Sequence, residues 1–316
     1  METRRTKLSI IGMGNVGAAF AYALSLKRLV NELVLVDINR PMAEGEAMDL
    51  RHGLPLLGPM EIKTGGYELC AGSDIVVITA GANQKPGQTR LDLLKANSEV
   101  VREIARSILD LGGSPVLVIA TNPVDVLTLE LYKETGLPAG RVIGSGTVLD
   151  SSRFRQILAE ILRVDVRSVH AHIIGEHGDS ELAVWSRANV SCVPLDNFFA
   201  QRGVSFGESV RRDILEKVRR AAYEIIERKG ATAYAIGVAL CRIVEAIIKD
   251  EKSVLTVSTP VKGLHGLPDV CLSLPCVVGA QGVEMILESP LAEDELTALR
   301  RSAEVLASHA RALGIV

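Results

Sequence analysis

Aromatic residues are scarce, 3% of the 316-residue chain, and neither sign of charge prevails, with 35 Lys and Arg against 38 Asp and Glu. The chain lacks both the basic surplus that tracks phosphate backbones and the stacking rings that hold single-stranded bases, which argues against a nucleic-acid partner. Cysteine is sparse too. Cys70, Cys192, Cys241, Cys271 and Cys276 are odd in number, widely spaced and set among apolar neighbours, the usage of reduced core thiols rather than of a disulfide framework. A cytoplasmic location is the expectation. A long unbroken apolar run is also missing. The uncharged stretch Leu8 to Leu26 follows Arg4, Arg5 and Lys7 and contains Ala21-Tyr22-Ala23, which mimics a secretory signal. Gly12, Gly14, Asn15 and Gly17 interrupt its centre, where export and membrane insertion need continuity.

What is present is the composition of an ordinary globular protein, 47% apolar and 23% charged. At roughly 150 residues per domain the length predicts two lobes. Leu8 to Ile11, Leu33 to Val36, Ile75 to Thr79 and Val116 to Ala120 are dense in Val, Ile and Leu and alternate with amphipathic segments, the pattern of βαβ units with helices on both faces of a parallel sheet. The second half differs. Val210, Ile214, Val218, Ala221 and Ile225 recur at helical spacing up to Gly230, and Leu296, Leu299, Ala303, Leu306, Ala310 and Leu313 do so after Ser289-Pro290. Val254 to Thr259 and Val270 to Leu274 read as antiparallel strands between them. The expected class is α/β, a doubly wound parallel sheet over residues 1–144 followed by an α+β lobe over 145–316.

In open α/β sheets ligands bind beyond the carboxyl ends of the strands, and the unusual residues of this chain fall there. Gly12-Met13-Gly14-Asn15-Val16-Gly17 follows the first strand and opens a helix, a context in which glycines let backbone amides approach a pyrophosphate. Asp37 closes the second strand, 20 residues beyond Gly17, where a carboxylate accepts hydrogen bonds from an adenosine ribose and repels a 2′-phosphate. The pair favours NAD, although Arg40 stands nearby. The third strand end carries Ala80-Gly81-Ala82-Asn83-Gln84-Lys85-Pro86-Gly87-Gln88-Thr89-Arg90, long and polar enough for a closing loop; by itself Arg90 reads more readily as a solvated cation. Thr121-Asn122-Pro123 ends the next strand, and Asp150 and Arg153 share one helix face, an arrangement open to a plain intrahelical ion pair. His177 lies between glycines in Gly175-Glu176-His177-Gly178-Asp179-Ser180, and its near-neutral pKa suits proton transfer. His170-x-His172 leaves a metal site open, with a hydrolase as the rival class.

Taken in order, these motifs, with Thr121-Asn122-Pro123-Val124-Asp125 and the segment from Gly144 to Arg155, resemble the NAD-dependent L-lactate/malate dehydrogenase family over nearly the whole chain. The resemblance implies a Rossmann domain followed by a catalytic domain, a homotetramer, and no metal. It implies NAD contacts from Gly12, Gly14, Asn15, Val16, Gly17, Asp37, Thr79, Gly81, Asn122 and Ser145. His177 matches the proton donor to a ketone, Asp150 its carboxylate partner, Arg153 the grip on the substrate carboxylate, and Arg90 the group that polarises the ketone. Asn122 matches a second contact to that oxygen, in a family where the Asn-Pro bond is commonly cis, and Thr232 lines the pocket.

Gln84 selects the substrate under this resemblance, because the malate branch of the family places Arg there and the lactate branch Gln. Oxaloacetate brings a second carboxylate into a closed site, and an unpaired buried charge costs several kcal/mol; pyruvate brings a methyl group. The expected pair is pyruvate and lactate, with malate the alternative and Lys85 a neighbouring cation. Arg155 and His170 match the pair that in many bacterial members binds fructose 1,6-bisphosphate at a subunit interface. A catalytically dead NAD-binding regulator would have no need of His177, Asp150, Arg153 and Arg90 together.

Overall fold

The computed structural model describes residues 5–82 and 90–316. Its first half runs β1 (Lys7–Ile11), α1 (Asn15–Lys27), β2 (Glu32–Val36), α2 (Arg40–Leu57), β3 (Glu61–Thr64), β4 (Ile75–Ile78), α3 (Arg90–Asp110), β5 (Val116–Ile119), α4 (Val124–Thr135) and β6 (Val142–Gly144). The six strands are parallel in the order β3-β2-β1-β4-β5-β6. β4 and β5 are buried along their whole length, as strands covered by helices on both faces must be. The four strands read from the sequence are present to within a residue. β3 and β6 escape that reading: β3 is an edge strand with one buried residue, Ile62, and β6 is three residues long.

The second half comprises α5 (Val148–Leu162), β7 (Val169–His170), β8 (Ile173–Ile174), β9 (Leu182–Ala183), β10 (Asn189–Val190), β11 (Val193–Pro194), α6 (Leu195–Gln201), α7 (Glu208–Lys229), α8 (Tyr234–Ile248), β12 (Ser253–Val261), β13 (Val270–Gly279), β14 (Gly282–Ile286) and α9 (Glu293–Ala312). α7 stops where expected, at Gly230 in the left-handed conformation. β12 and β13 are the expected antiparallel strands, but they do not make a sheet of their own. β12 pairs antiparallel with β6 through Ser258 opposite Gly144, so β12, β13 and β14 extend the parallel sheet to nine strands. Gly144 permits this seam, because a Cβ there would run into the Thr128 hydroxyl and lie 2.8 Å from Ser258 Cβ.

One apolar core follows the continuous sheet, holding Leu8, Phe20 and Leu35 with Leu240, Val257, Leu272 and Leu299. A smaller one gathers Phe154, Phe199, Ile214 and Val218 beneath β7 and β10. α8 lies against α1, where Gly237 meets the backbone of Ala19 and Phe20. The step from residue 144 to 145 falls at the end of β6, before α5, and the sheet and core continue across that point. No helix among the described residues is long and apolar enough to cross a membrane.

Candidate active site

The turn from β1 to α1 sits where the sheet reverses strand order, between β1 and β4. Gly12 is held at φ +101°, and a Cβ there would strike the backbone of Ala80; one on Gly17 would strike the Gly12 carbonyl. Gly14, by contrast, has nothing within 4 Å of where its Cβ would be. Gly14 also caps α1 without a side-chain hydrogen bond, which leaves the first-turn amides of Asn15, Val16 and Gly17 without an intrahelical partner at the positive end of a helix. Thr79 supports the loop from β4 by donating to the Gly12 carbonyl at 2.6 Å. Asp37 at the end of β2 closes the other side, accepting from the amides of Met13 at 2.6 Å and Asn39 at 2.7 Å. This donor-rich, uncapped loop beside a fixed carboxylate fits a dinucleotide: amides for the pyrophosphate, remaining carboxylate lone pairs for ribose hydroxyls.

At the end of β5 the Asn122–Pro123 bond is cis. The Asn122 carbonyl accepts from Asn97 Nδ2 at 2.8 Å, while Asn97 Oδ1 takes the Ala82 amide at 2.7 Å. Asn97, from α3, thus ties the β4 and β5 ends together. Gly81 packs so closely on Thr121 that a Cβ would collide with its methyl group, and Ser145 is buried just beyond β6, its amide bonded to the Ile119 carbonyl.

The charged cluster is built on α5 and on the turn after β8. Gly175, at φ +89°, lets the chain leave β8 sharply. The His177 ring then meets α5, with Nδ1 2.6 Å from Asp150 Oδ2, and Arg153 binds the other oxygen of Asp150 through Nη1 at 2.8 Å. Asp150 lifts the imidazole to about 9 in spite of burial. Burial opposes ionisation of Asp150, but His177 and Arg153 hold its carboxyl below the usual range. The main-chain amide of His177 donates to the wholly buried Asp125 of α4 at 2.7 Å. Asp150, His177 and Glu181 bring ligand-type atoms within 4.8 Å of one another. His170 and His172 are not part of that group: His170 is exposed at the end of β7 and His172 lines a separate, mostly apolar cavity.

Two family models cover the chain: lactate/malate dehydrogenase, NAD binding domain, over residues 6–144, and the alpha/beta C-terminal domain of the same family over 147–312. The chain belongs to the lactate/malate dehydrogenase family. Its members include the L-lactate dehydrogenase of Nitratidesulfovibrio vulgaris, 58% identical over 307 residues that cover 97% of this chain and 99% of the relative. That of Thermoanaerobacter pseudethanolicus is 51% identical over 309 residues, 98% and 99% of the two chains. The crystal structure of a lactate dehydrogenase from a Medee basin deep-sea metagenome library superposes with a TM-score of 0.95 at 45% identity, covering 99% of this chain and all of that one. This family member is accordingly an NAD-dependent dehydrogenase with a Rossmann domain at its N-terminal end.

The hydrogen-bonded set of His177, Asp150 and Arg153 does not include the other site residues named from the sequence. Thr232 is half-buried between α7 and α8. Arg155 extends from α5 with Nε 3.3 Å from the Ser151 carbonyl, and burial lowers its pKa. Burial, Arg155 and His170 together push His172 down to about 4, so these three basic side chains are close neighbours. Gln84 and Lys85 lie outside the described residues, as does the side chain of Arg90, the residue that opens α3. Asn97 and Glu181 escape the sequence reading, and Asp125 is there only as the last residue of a motif, without a role of its own. Asp125 carried a signal, a carboxylate within the otherwise apolar start of α4 at residues 124–127.

The open space at Gly14 sets up a clean contrast. Gly14→Ala should leave the melting temperature in place, since nothing is there to strike, while weakening NADH about tenfold by holding the pyrophosphate off the backbone. Gly17→Ala should lower both, as overpacking costs ~1–3 kcal/mol. Thermal unfolding and fluorescence titration of NADH check the pair; equal NADH affinity for Gly14→Ala and the parent would rule out close approach at this glycine.

Proposed function

We propose that the chain is an L-lactate dehydrogenase, interconverting pyruvate and (S)-lactate with His177 as proton donor and acceptor. The observation that carries the reading is the chain of contacts from His177 through Asp150 to Arg153, 2.6 Å and 2.8 Å long. Asp150 occupies Nδ1, fixes the tautomer and stabilises the charged ring, so that Nε2 carries the proton toward a ketone oxygen. Arg153 offers the planar fork that suits a substrate carboxylate. NADH, when bound at the glycine loop of residues 12–17, supplies the hydride. Reduction is favoured below the His177 midpoint near 9, where the ring is charged, and lactate oxidation above it. Arg90 polarises the ketone, Asn122 contacts the same oxygen, Thr232 lines the pocket, and Gln84 accommodates the pyruvate methyl group.

The remaining parts of the reading are a homotetramer and a fructose 1,6-bisphosphate site at Arg155 and His170. Support comes from the gathering of Arg155, His170 and His172, where burial first and then the two neighbouring basic groups push His172 down, and from large apolar side chains exposed on α1, α7 and α8: Tyr22, Leu26, Tyr223, Ile226, Tyr234 and Val238. The domains divide at residues 144 and 145, the enzyme works in the cytoplasm, and the pathway is glycolytic fermentation. Measuring kcat/KM for pyruvate and for oxaloacetate with NADH, each with and without fructose 1,6-bisphosphate, tests the whole. A pyruvate preference of at least about a hundredfold is expected, with activation by the bisphosphate at subsaturating pyruvate. A preference for oxaloacetate would make the enzyme a malate dehydrogenase, and a flat response to bisphosphate would remove the regulatory role of Arg155 and His170.

A further inference from the structure

Glu181 is an acid in a place where the proton donor and its partner do not require one. The turn over residues 175–180 folds back so that Glu181, just before β9, returns to the side of His177; its amide donates to the Gly178 carbonyl at 3.2 Å. It is 2% exposed, and its Oε1 is buried without a hydrogen-bond partner. Its ligand-type oxygen lies within 4.8 Å of those of Asp150 and His177. The charged groups facing it are Asp150 and Arg153 from α5, His177 from its own turn, and Arg219 from α7. Arg219 spends Nη2 on the Glu181 carbonyl at 2.6 Å rather than on the carboxylate, and its own Nε is also without a partner. A carboxylate kept for structure is bonded at its oxygens; one left bare in the interior is expensive when ionised.

We propose that Glu181 is a positioning residue for the proton step, a second acid beside the Asp150–His177 pair whose own ionisation decides how firmly His177 holds its proton. Burial first, and then Asp150, raise the Glu181 carboxyl to about 8, against His177, Arg219 and Arg153, so it is neutral at pH 7. With Glu181 neutral, the carboxylates that face the His177 ring are Asp150, which Arg153 also binds, and Asp125, so a proton leaving the ring uncovers no third negative charge. Were Glu181 ionised, the same transfer would leave its buried charge beside that of Asp150 without the imidazolium to offset either. The neutral acid therefore keeps His177 a ready donor at neutral pH. In the alkaline range Glu181 loses its proton and, by reciprocity, makes His177 keep its own to higher pH. The two groups titrate as a pair.

The inference rests on His177 being the proton donor, and its test separates the two ideas. In Glu181→Gln the carboxyl is permanently neutral, so the alkaline midpoint of kcat/KM for pyruvate should fall by about one pH unit. Between pH ~6.5 and ~9.5 the ratio of variant to parent kcat/KM should then drop about tenfold. Glu181→Asp, which can still ionise, should recover part of that shift. The parent protein gives a second readout that needs no variant: with its six histidines isotopically labelled, the His177 ring should titrate in two steps, the first reporting ionisation of Glu181. A ratio constant across pH would mark Glu181 as structural and overturn the proposal, and so would a single-step His177 titration. Absence of pyruvate turnover in the parent would sink the functional reading while leaving the ring titration to decide on Glu181.

Discussion

Asp150→Asn should lower kcat/KM for pyruvate by about 10³-fold at pH 7. The two oxygens of Asp150 do separate jobs, Oδ2 on His177 Nδ1 at 2.6 Å and Oδ1 on Arg153 Nη1 at 2.8 Å, from a side chain only 3% exposed. The negative charge is the main reason the imidazole is lifted to about 9. An amide of the same shape keeps the packing and removes the charge, leaving burial to pull the ring down. The sign is then fixed: His177 charges at lower pH than in the parent, so less of the donor form exists at neutrality and the alkaline limb of pyruvate reduction moves toward acid. An amide NH₂ aimed at Nδ1 would also select the wrong tautomer. Rate profiles from pH ~5 to ~9 check this. A variant that lost activity while keeping the parent midpoint would show that Asp150 orients the ring without setting its charge.

The stretches whose meaning is local were readable. The glycine turn, Asp37 and the four strands depend on near neighbours in sequence, and the structure places them where the residues indicate. Asp150 and Arg153 pair across one helical turn, as the intrahelical ion-pair reading expected, and the same pair meets His177, which only tertiary folding could bring. Contacts made across long separations were not readable. Asn97 reaches Asn122 from 25 residues away and Asp125 reaches the His177 amide from 52, with no periodicity to announce either. The extension of the sheet by β12 was hidden for the same reason: antiparallel alternation reveals a strand, not its neighbour, and the pairing depends on the bare Gly144 edge. Glu181 follows His177 by one short turn, yet nothing in that spacing tells a turn from a strand, and its return to the ring is a property of the folded chain alone.

Arg153→Lys should raise KM for pyruvate by about 10²-fold or more, ~3 kcal/mol, with a smaller fall in kcat. Arg153 is largely buried, its side chain 14% exposed, and one of its five donors goes to Asp150. The remaining donors lie in one plane and meet a carboxylate with two parallel bonds, which fixes the rotation of the substrate as well as its distance. A lysine keeps the charge but is a point donor on a flexible stem. It can satisfy Asp150 or the incoming carboxylate, and the buried position makes the unsatisfied one costly. Because the loss falls on substrate rather than on the nucleotide loop formed by Gly12, Gly14 and Gly17, NADH affinity should hold steady. Steady-state kinetics with varied pyruvate, together with NADH titration, separate the outcomes. If NADH weakens in parallel with pyruvate, the substitution has disturbed the fold of α5; if KM moves less than about tenfold, the carboxylate is held elsewhere, and the direct Asp150–Arg153 contact is an ion pair of the helix and nothing more.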